Sequence, residues 1–534
     1  MGTMKRYDQY LHDWVPVDQL TVFIEGGSPP VEDWYIPNPD WEDIMACPPN
    51  TVQALFSDAK TCECKIYSTV SSGVFTVDWG DGTIESFSNG VTGYHKYIKG
   101  SGKPCDLDYT TFKISITGNV LDLRFNPPGQ EYPLTMDPNW GALIGIVINH
   151  PTINFLNMLI NSNGSSYDML EFFKIISAPA ATTMNLTFKA AQFLKMVDIS
   201  SDNAIWSATE AFYQCRDLKY VKLNLPKLTT AASLFYACWA INIVDISSFI
   251  LCTNFSNMFF QSSLRKVILP NSTVSKNCTG MLNACKVEEV DLLGFSNINN
   301  ASFFMQDNYY LKTVNLRDSL INSTTLQSVV HGCINLVKFL FSPVFSEATT
   351  MQSFMQNCQN IRHDILIGDI PKVTFLSSAF YGCHSLPNIT ISGGRLVSDI
   401  GSVCNECYAL KSFIADLVGL NATSVNGSMA FYKTQKLEYL NLPSAKLSAI
   451  NVSSATSATY ISKFRNVTFN AASLFLGSSP QVFIQYDSMT ADDLNDLFTR
   501  LPVVTGKTVN MTGTLGAATC NRTIATAKGW TVTG

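Results

Sequence analysis

From about residue 188 to residue 469 the apolar positions recur in a single frame. A bulky apolar residue is followed by Cys three positions on, Leu or Ile at six, Val or a relative at nine, and Leu or Ile at eleven. Phe212, Cys215, Leu218, Val221 and Leu223 set the frame; Phe235, Cys238, Ile241, Val244 and Ile246 repeat it; Met258, Gln261, Leu264, Val267 and Leu269 continue it. Further copies centre on Cys285 (with one residue deleted), Asn308, Cys333, Cys358, Cys383, Cys407 and Thr434, with weaker ones on Ala191 and Ile461. These positions lie 23 to 27 residues apart, and a period held over twelve copies is the mark of a stacked repeat.

The Val-x-Leu pair has the two-residue alternation of a short strand with one face inward. No coil of this size can bury that face alone, so the strands stack into a parallel sheet at ~4.8 Å per coil, a rod of roughly 55–60 Å. The bulky residue, Cys and Leu at three-residue spacing predict one short helical turn ahead of each strand. The unit Ala211-Phe-Tyr-x-Cys-x-x-Leu-x-x-Val-x-Leu223 resembles the BspA-type leucine-rich repeats of bacterial and protist surface proteins, which also occur in viral structural proteins. The resemblance covers about residues 180 to 470. It implies a leucine-rich-repeat solenoid of about 12 coils of ~24 residues that adheres to or binds partners, and it does not imply catalysis. Residues 130 to 180 read as irregular first coils.

Ahead of the repeats, Val74 to Ile84 alternates, breaks at Gly80-Asp81-Gly82 and alternates again, which predicts a hairpin. Tyr94 to Tyr97 and Phe112 to Gly118 give two further strands. The Trp79-Gly-Asp-Gly-Thr83 run, His95-x-Tyr97 and the closing strand before Gly118 resemble the polycystic-kidney-disease (PKD) type of immunoglobulin-like sandwich, a spacer or binding unit. Asp78 and Asp81 fall short of the roughly six to eight oxygens that calcium takes and are expected to serve the turn. Behind the repeats, Thr490 and Asp493 form a capping-box pattern before Leu494, Leu497, Phe498 and Leu501, so a helix, then strands near Thr508 and Trp530, are expected to close the solenoid.

The expected fold is therefore β-rich with short helices. Residues 1–49 read as an extended Trp/Pro-rich arm, 50–125 as a PKD-like β-sandwich, 126–485 as the solenoid and 486–534 as a C-terminal α/β cap.

Composition narrows the function classes. The chain has 534 residues with Lys+Arg 36 against Asp+Glu 42, a net charge of −6, which does not suit a nucleic-acid protein held by a basic field. No apolar run approaches the ~18 residues of a membrane helix, and Leu20 to Ile24 is too short for the core of a secretory signal. Cys215, Cys238, Cys285, Cys333, Cys358, Cys383 and Cys407 share one repeat position and are expected to stack inward as small apolar residues. Gln261, Asn308 and Thr434 in the same column argue against a disulfide ladder. Cys404-x-x-Cys407 lacks the second pair that zinc requires, while Cys47, Cys62, Cys64 and Cys105 leave one disulfide open. Fourteen Asn-x-Ser/Thr triplets occur, as an Asn/Ser/Thr-rich solenoid generates by composition, and no glycosylation is expected. No nucleophile elbow, phosphate loop or metal-binding helix is present, so no catalytic residue, metal ligand or cofactor is assigned.

Two sets of residues are candidate contact sites. The position after the bulky slot carries Tyr213, Tyr236 and Phe259, then His331, Tyr381 and Tyr432. Pointing outward, these would form a stripe suited to stacking on sugars or packing on a protein; the alternative is a half-buried rim over the seam between coils. Trp14, Trp34 and Trp41 are candidate anchors within the arm, or a strap across the sandwich. The expected role is a non-enzymatic virion protein, tail-fibre-like or capsid-attached. Its arm would hold other virion proteins and its solenoid a host-surface protein or glycan, without nucleic acid or membrane insertion and with homo-oligomerisation open. The alternatives are a bacterial surface adhesin at the cell surface or outside it, and more weakly an extracellular glycan hydrolase.

Overall fold

The computed structural model describes residues 5–8, 13–16, 34–59, 62–125, 143–154, 169–199, 203–417, short segments between 425 and 483, and 489–534. Met1–Pro39 and Asp40–Gly534 are separate compact units. In the first, β1 (Lys5–Asp8) and β2 (Asp13–Pro16) pair antiparallel, with Lys5 opposite Pro16 and Tyr7 opposite Trp14.

The second unit opens with strands β3 (Thr51–Ser57), β4 (Glu63–Asp78), β5 (Ile84–Ser88), β6 (Thr92–Lys96), β7 (Lys103–Pro104) and β8 (Thr110–Arg124). β4 is long enough to pair with β6 along its first half and with β5 along its second, while β8 runs along its other edge. The rings of Trp79, His95, Tyr97 and Phe112 follow one another between them at centroid distances of 4.9, 4.6 and 3.9 Å, the outer two contacts stacked and the His95–Tyr97 contact edge-on. Tyr97 Oη donates to the Trp79 carbonyl and Trp79 Nε1 to Glu85.

This module is not a spacer set apart from the repeats. β3 pairs antiparallel with β8 on one side and with β9 (Leu143–Asn149) on the other. From β9 the sheet continues in parallel through β10 (Phe172–Ser177), β11 (Met196–Ile199) and β12 (Tyr220–Leu223). One ten-stranded sheet thus spans the front module and the first coils. Every residue of β3 is buried, as a strand with partners on both edges requires. Residues 40–49 belong to the same body. Trp41, Ile44 and Cys47 are buried; Trp41 lies against the Phe172 ring, its Nε1 donates to Tyr109 Oη, and its carbonyl accepts from Lys103 Nζ. The extended arm expected as far as residue 49 therefore stops short of Trp41, because the module's open edge gives that indole somewhere to be buried.

Beyond β12 the solenoid of about 13 turns continues. Each coil has a strand of a few residues, such as Ile243–Asp245, Lys266–Ile268 or Thr313–Asn315, paired in parallel register with a neighbouring coil's strand. The expected helical turn ahead of each strand is instead a pair of tight turns. Two residues per coil, five and one before the Cys position, adopt left-handed backbone: Glu210 and Gln214, Ser233 and Ala237, Ser378 and Gly382, Ser402 and Glu406. The left-handed conformation costs roughly 1–2 kcal/mol per non-glycine residue. It turns the amide outward along the axis, so Gln214 N–H reaches the Tyr236 carbonyl at 2.7 Å and Ala237 N–H the Phe260 carbonyl at 2.8 Å. An α-helix would have used those amides within the coil and left the turns of neighbouring coils without these bonds to each other.

The cap forms as the patterning predicts. Ala491–Arg500 is an α-helix with a complete Thr490/Asp493 capping box, burying Leu494, Leu497 and Phe498. Strands Lys507–Asn510 and Trp530–Thr533 extend the parallel sheet, and the short helix between them covers Thr523–Thr526.

Candidate binding surfaces of the solenoid

The interior of the turns is a continuous ladder. Phe188, Phe212, Phe235 and Phe259 stack ring on ring at 5.7, 5.6 and 5.6 Å, nearly parallel and fully buried. Phe259 therefore fills the bulky slot, not the outward column where the frame on Met258 and Gln261 puts it. Ser262 takes the Cys position of that coil, and Gln261 is its left-handed residue. That coil therefore lacks one residue between Ser262 and Leu264, in addition to the deletion that the sequence frame places in the next coil, which lies between Cys285 and Val287. Spacing alone could not decide, because either choice gives an allowed coil length.

The Cys column is inert. Each thiol donates to the bulky-slot carbonyl of the preceding coil: Cys215 to Phe188, Cys238 to Phe212, Cys285 to Phe259, Cys358 to Val330 and Cys407 to Phe380, at 3.0–3.1 Å. Asn308 Nδ2 makes the same bond to Leu282 at 2.6 Å, which is why a small donor of any kind is accepted here. Burial pushes the thiols of Cys285 and Cys333 up to about 12. Cys404 occupies the bulky slot of its coil, buried, as expected. All cysteines of the described residues are free thiols, including Cys47, Cys62, Cys64 and Cys105.

The outward column consists of Tyr213, Tyr236 and Phe260, stacked at 4.5 and 4.8 Å with their planes within 16° of parallel. Lys189 Nζ lies 4.7 Å from the Tyr213 centroid and pairs with Glu210. Both faces of Tyr213 and of Tyr236 are thus covered by a neighbouring ring or by an ammonium, and these two rings offer solvent only their edges. A sugar stacks on an open face, so this column is built as a rim over the inter-coil seam. Tyr381 is half-buried in the same column, with the carboxylate of Glu406 beside its hydroxyl; Tyr432 lies outside the described residues. Among the proposed anchors, Trp34 is exposed, Trp41 is buried in the front module, and Trp14 is placed only by its strand backbone.

The polar candidates also have structural tasks. Asp78 Oδ1 accepts from Gly80 N–H and Asp81 Oδ1 from Thr83 N–H, both at 3.0 Å, while Asp81 Oδ2 meets His95 Nε2 at 2.8 Å. Several Asn-x-Ser/Thr triplets arise from the repeat itself: Asn254, Asn277 and Asn300 begin the turns, and their Oδ1 atoms accept from Ser256, Thr279 and Ser302 N–H.

One surface feature was not read from the sequence. The position four after Cys, where each strand begins, carries Lys195, Lys219, Arg265, Lys312, Arg362 and Lys411, with Glu288 and Glu438 as acidic members. Backbone bonds join neighbouring members into a straight row: Lys219 N–H to the Lys195 carbonyl, Val337 N–H to Lys312 and Lys411 N–H to Pro387. Lys195 pairs with Glu171 at its head and Lys312 with Glu288. Lys219, Arg265, Arg362 and Lys411 are exposed, as are Lys266 and Lys338 one residue further on. The repeat frame carries this signal, which the net charge of the whole chain averages away.

Comparison with known proteins gives the same repeat class. The family model described as the BspA type leucine rich repeat region matches residues 184–310, 306–417 and 332–462, more than half of the chain. A leucine-rich repeat protein from Bacteroides ovatus is similar at 14% identity, over 68% of this chain and 94% of that one, with a TM-score of 0.36. One from Eubacterium ventriosum is similar at 12% identity, over 63% and 87%, with a TM-score of 0.29. No curated protein matches the chain.

Proposed function

The chain belongs to the BspA-type leucine-rich-repeat family, and from that premise we propose that it is a non-enzymatic recognition protein of the adhesin kind, holding a macromolecular partner along its solenoid at a cell surface or outside the cell. The observation that carries this reading is the side-chain columns, repeated coil after coil over one stacked sheet, which give an extended surface. The Cys thiols, the Asx turns and the His95–Asp81 pair all bond within the protein. The test is saturable binding of the full chain to intact cells and extracellular matrix; its absence on every surface tried would overturn the reading.

A second reading, attachment to a virus particle, is favoured by Met1–Pro39 forming a unit of its own, as an anchor joined to a recognition body would. Co-sedimentation with particles by the full chain, lost on removal of residues 1–39, is the expected result. The Trp79, His95 and Tyr97 cluster supports reading the front module as PKD-like, here built into the first coils as their cap.

A further inference from the structure

We propose that the strand-leading edge of the solenoid binds a linear polyanionic glycan, laid parallel to the solenoid axis. The inference rests on the adhesin reading and gives it a partner class. Lys219, Arg265, Lys266, Lys338, Arg362 and Lys411 are exposed along this edge. Among the acids along this edge Glu171 is matched by Lys195 at 2.9 Å and Glu288 by Lys312 at 2.8 Å; Glu289, exposed beside Glu288, and Glu438 at the row position offset two of the six remaining cations and leave four in excess. That excess runs against the chain as a whole, whose net charge is −6.

Like charges one coil apart repel and weaken the stack, so folding gives no reason to gather them in one row. An extended polymer with regularly spaced anions would neutralise the row along its length, releasing its own counterions as it binds. A sulfated or uronic-acid glycan fits better than a single-stranded nucleic acid. Nucleic-acid strands gain much of their affinity by stacking bases on open aromatic faces, and Tyr220, at a strand start on this edge, lies under Lys219 Nζ at 5.0 Å. The stacked rings of Tyr213 and Tyr236 offer no open face either.

The experiment measures binding of the purified full chain to immobilised heparin, with neutral dextran as the uncharged control, across a salt series. Two double variants carry the same charge change at different places: R265E/K266E on the edge, and K227E/R395E in the turns that follow the strands, where both residues are also exposed. The expected result is salt-dependent binding to heparin and none to dextran. R265E/K266E should lose about tenfold or more of the affinity and show a shallower salt slope, while K227E/R395E should stay within about threefold, as screened distant charges do. No heparin binding by the unaltered chain, equal loss in both variants, or competition by oligothymidylate as strong as by free heparin at equal charge would each overturn the inference. Cell or matrix adhesion that survives both R265E/K266E and excess heparin would overturn it while leaving the adhesin reading intact. Lack of adhesion with heparin binding as expected would sink the adhesin reading alone.

Discussion

Asp307 and Gly332 take the same left-handed position on successive coils, and the Asp307 carboxylate lies where a β-carbon on residue 332 would have to sit. Asn357 and Gly382 repeat the arrangement two coils on, and Asn257 and Gly280 show it at the other left-handed position. An Asn or Asp tolerates this backbone because its short side chain can bond locally. That side chain then leans along the axis into the next coil, where only glycine leaves room. Gly332→Ala should therefore destabilise the protein by about 1–3 kcal/mol. The double variant D307A/G332A should recover the steric part but not the strain of a left-handed alanine. Thermal unfolding of the four proteins checks this; equal losses for the single and double variants would show that the carboxylate contact is irrelevant.

Trp41 distinguishes an anchor from a core residue. Its indole is buried and bonded to Tyr109, so Trp41→Ala should cost about 3–5 kcal/mol as other buried tryptophans do. Removing residues 1–39 should leave the melting temperature of the remainder unchanged, and removing 1–49 should lower it steeply. Equal melting temperatures for the two truncations would return residues 40–49 to the arm.

His150 sits where the front module meets the first coil, with its Nε2–H donated to the Gly118 carbonyl at 2.8 Å. Burial holds its pKa below the ordinary 6.5, and the bond to Gly118 only partly opposes this. The unfolded chain takes up a proton near 6.5 while the folded one resists it. Its contribution is therefore complete above that pH and is lost as the pH falls through the folded value. His150→Gln, which keeps a donor, should flatten the fall in melting temperature between about pH 7.5 and pH 5. An unchanged pH profile would remove His150 from the acid response.

Lys276 is fully buried, its ammonium donating to the carbonyls of Ser272, Val274 and Ser296 at 2.7 Å each, with the Phe295 ring 5.0 Å away. These carbonyls belong to an irregular stretch that the strand ladder does not satisfy. Lys276→Met keeps the stem but takes the donor from the Val274 and Ser296 carbonyls and leaves Ser272 only the long bond from Ser296 N–H at 3.4 Å, and should destabilise by about 2–4 kcal/mol. Hydrogen exchange should show the loss concentrated in residues 270–300; a uniform change along the chain would contradict a local staple.

Thiol labelling tests the Cys column. Thiolate is the reactive form, and Cys285, Cys333, Cys358 and Cys407 are buried with raised pKa. In the folded protein they should resist iodoacetamide at about pH 8, while the half-exposed Cys62, Cys105 and Cys520 are modified, and denaturant should open all of them. Mass spectrometry locates the labels. Labelling of a column cysteine before unfolding would mean that the coils open locally.

Much of this was legible in the chain because a repeat writes its packing many times over. The column of Cys215, Cys238 and Cys383, the inward Val and Leu of each strand, and the Thr490/Asp493 cap followed from periodicity and local chemistry alone. The misplacement of Phe259 had a definite cause: a one-residue deletion can be assigned to either side of a turn until the hydrogen bonds of the next coil are known. The helical turn was misjudged for a related reason, since three-residue spacing describes a run of tight turns as well as a helix. Only the bonds from Gln214 and Ala237 to the following coil separate the two.

The sequence by itself determined the repeat length, the inward face of each coil and the identity of the ladder that fills it, because each is a local pattern under the same burial demand every ~24 residues. Only the tertiary structure decided where the front module ends. The pairing of β3 with both β8 and β9 joins segments far apart in the chain, and no local pattern records which open edge a strand will close. It also decided which outward columns are available. Stacking covers the faces of Tyr213 and Tyr236, while Lys219 and Arg265 stay exposed along the strand-leading edge, and that difference exists only once the coils are in register.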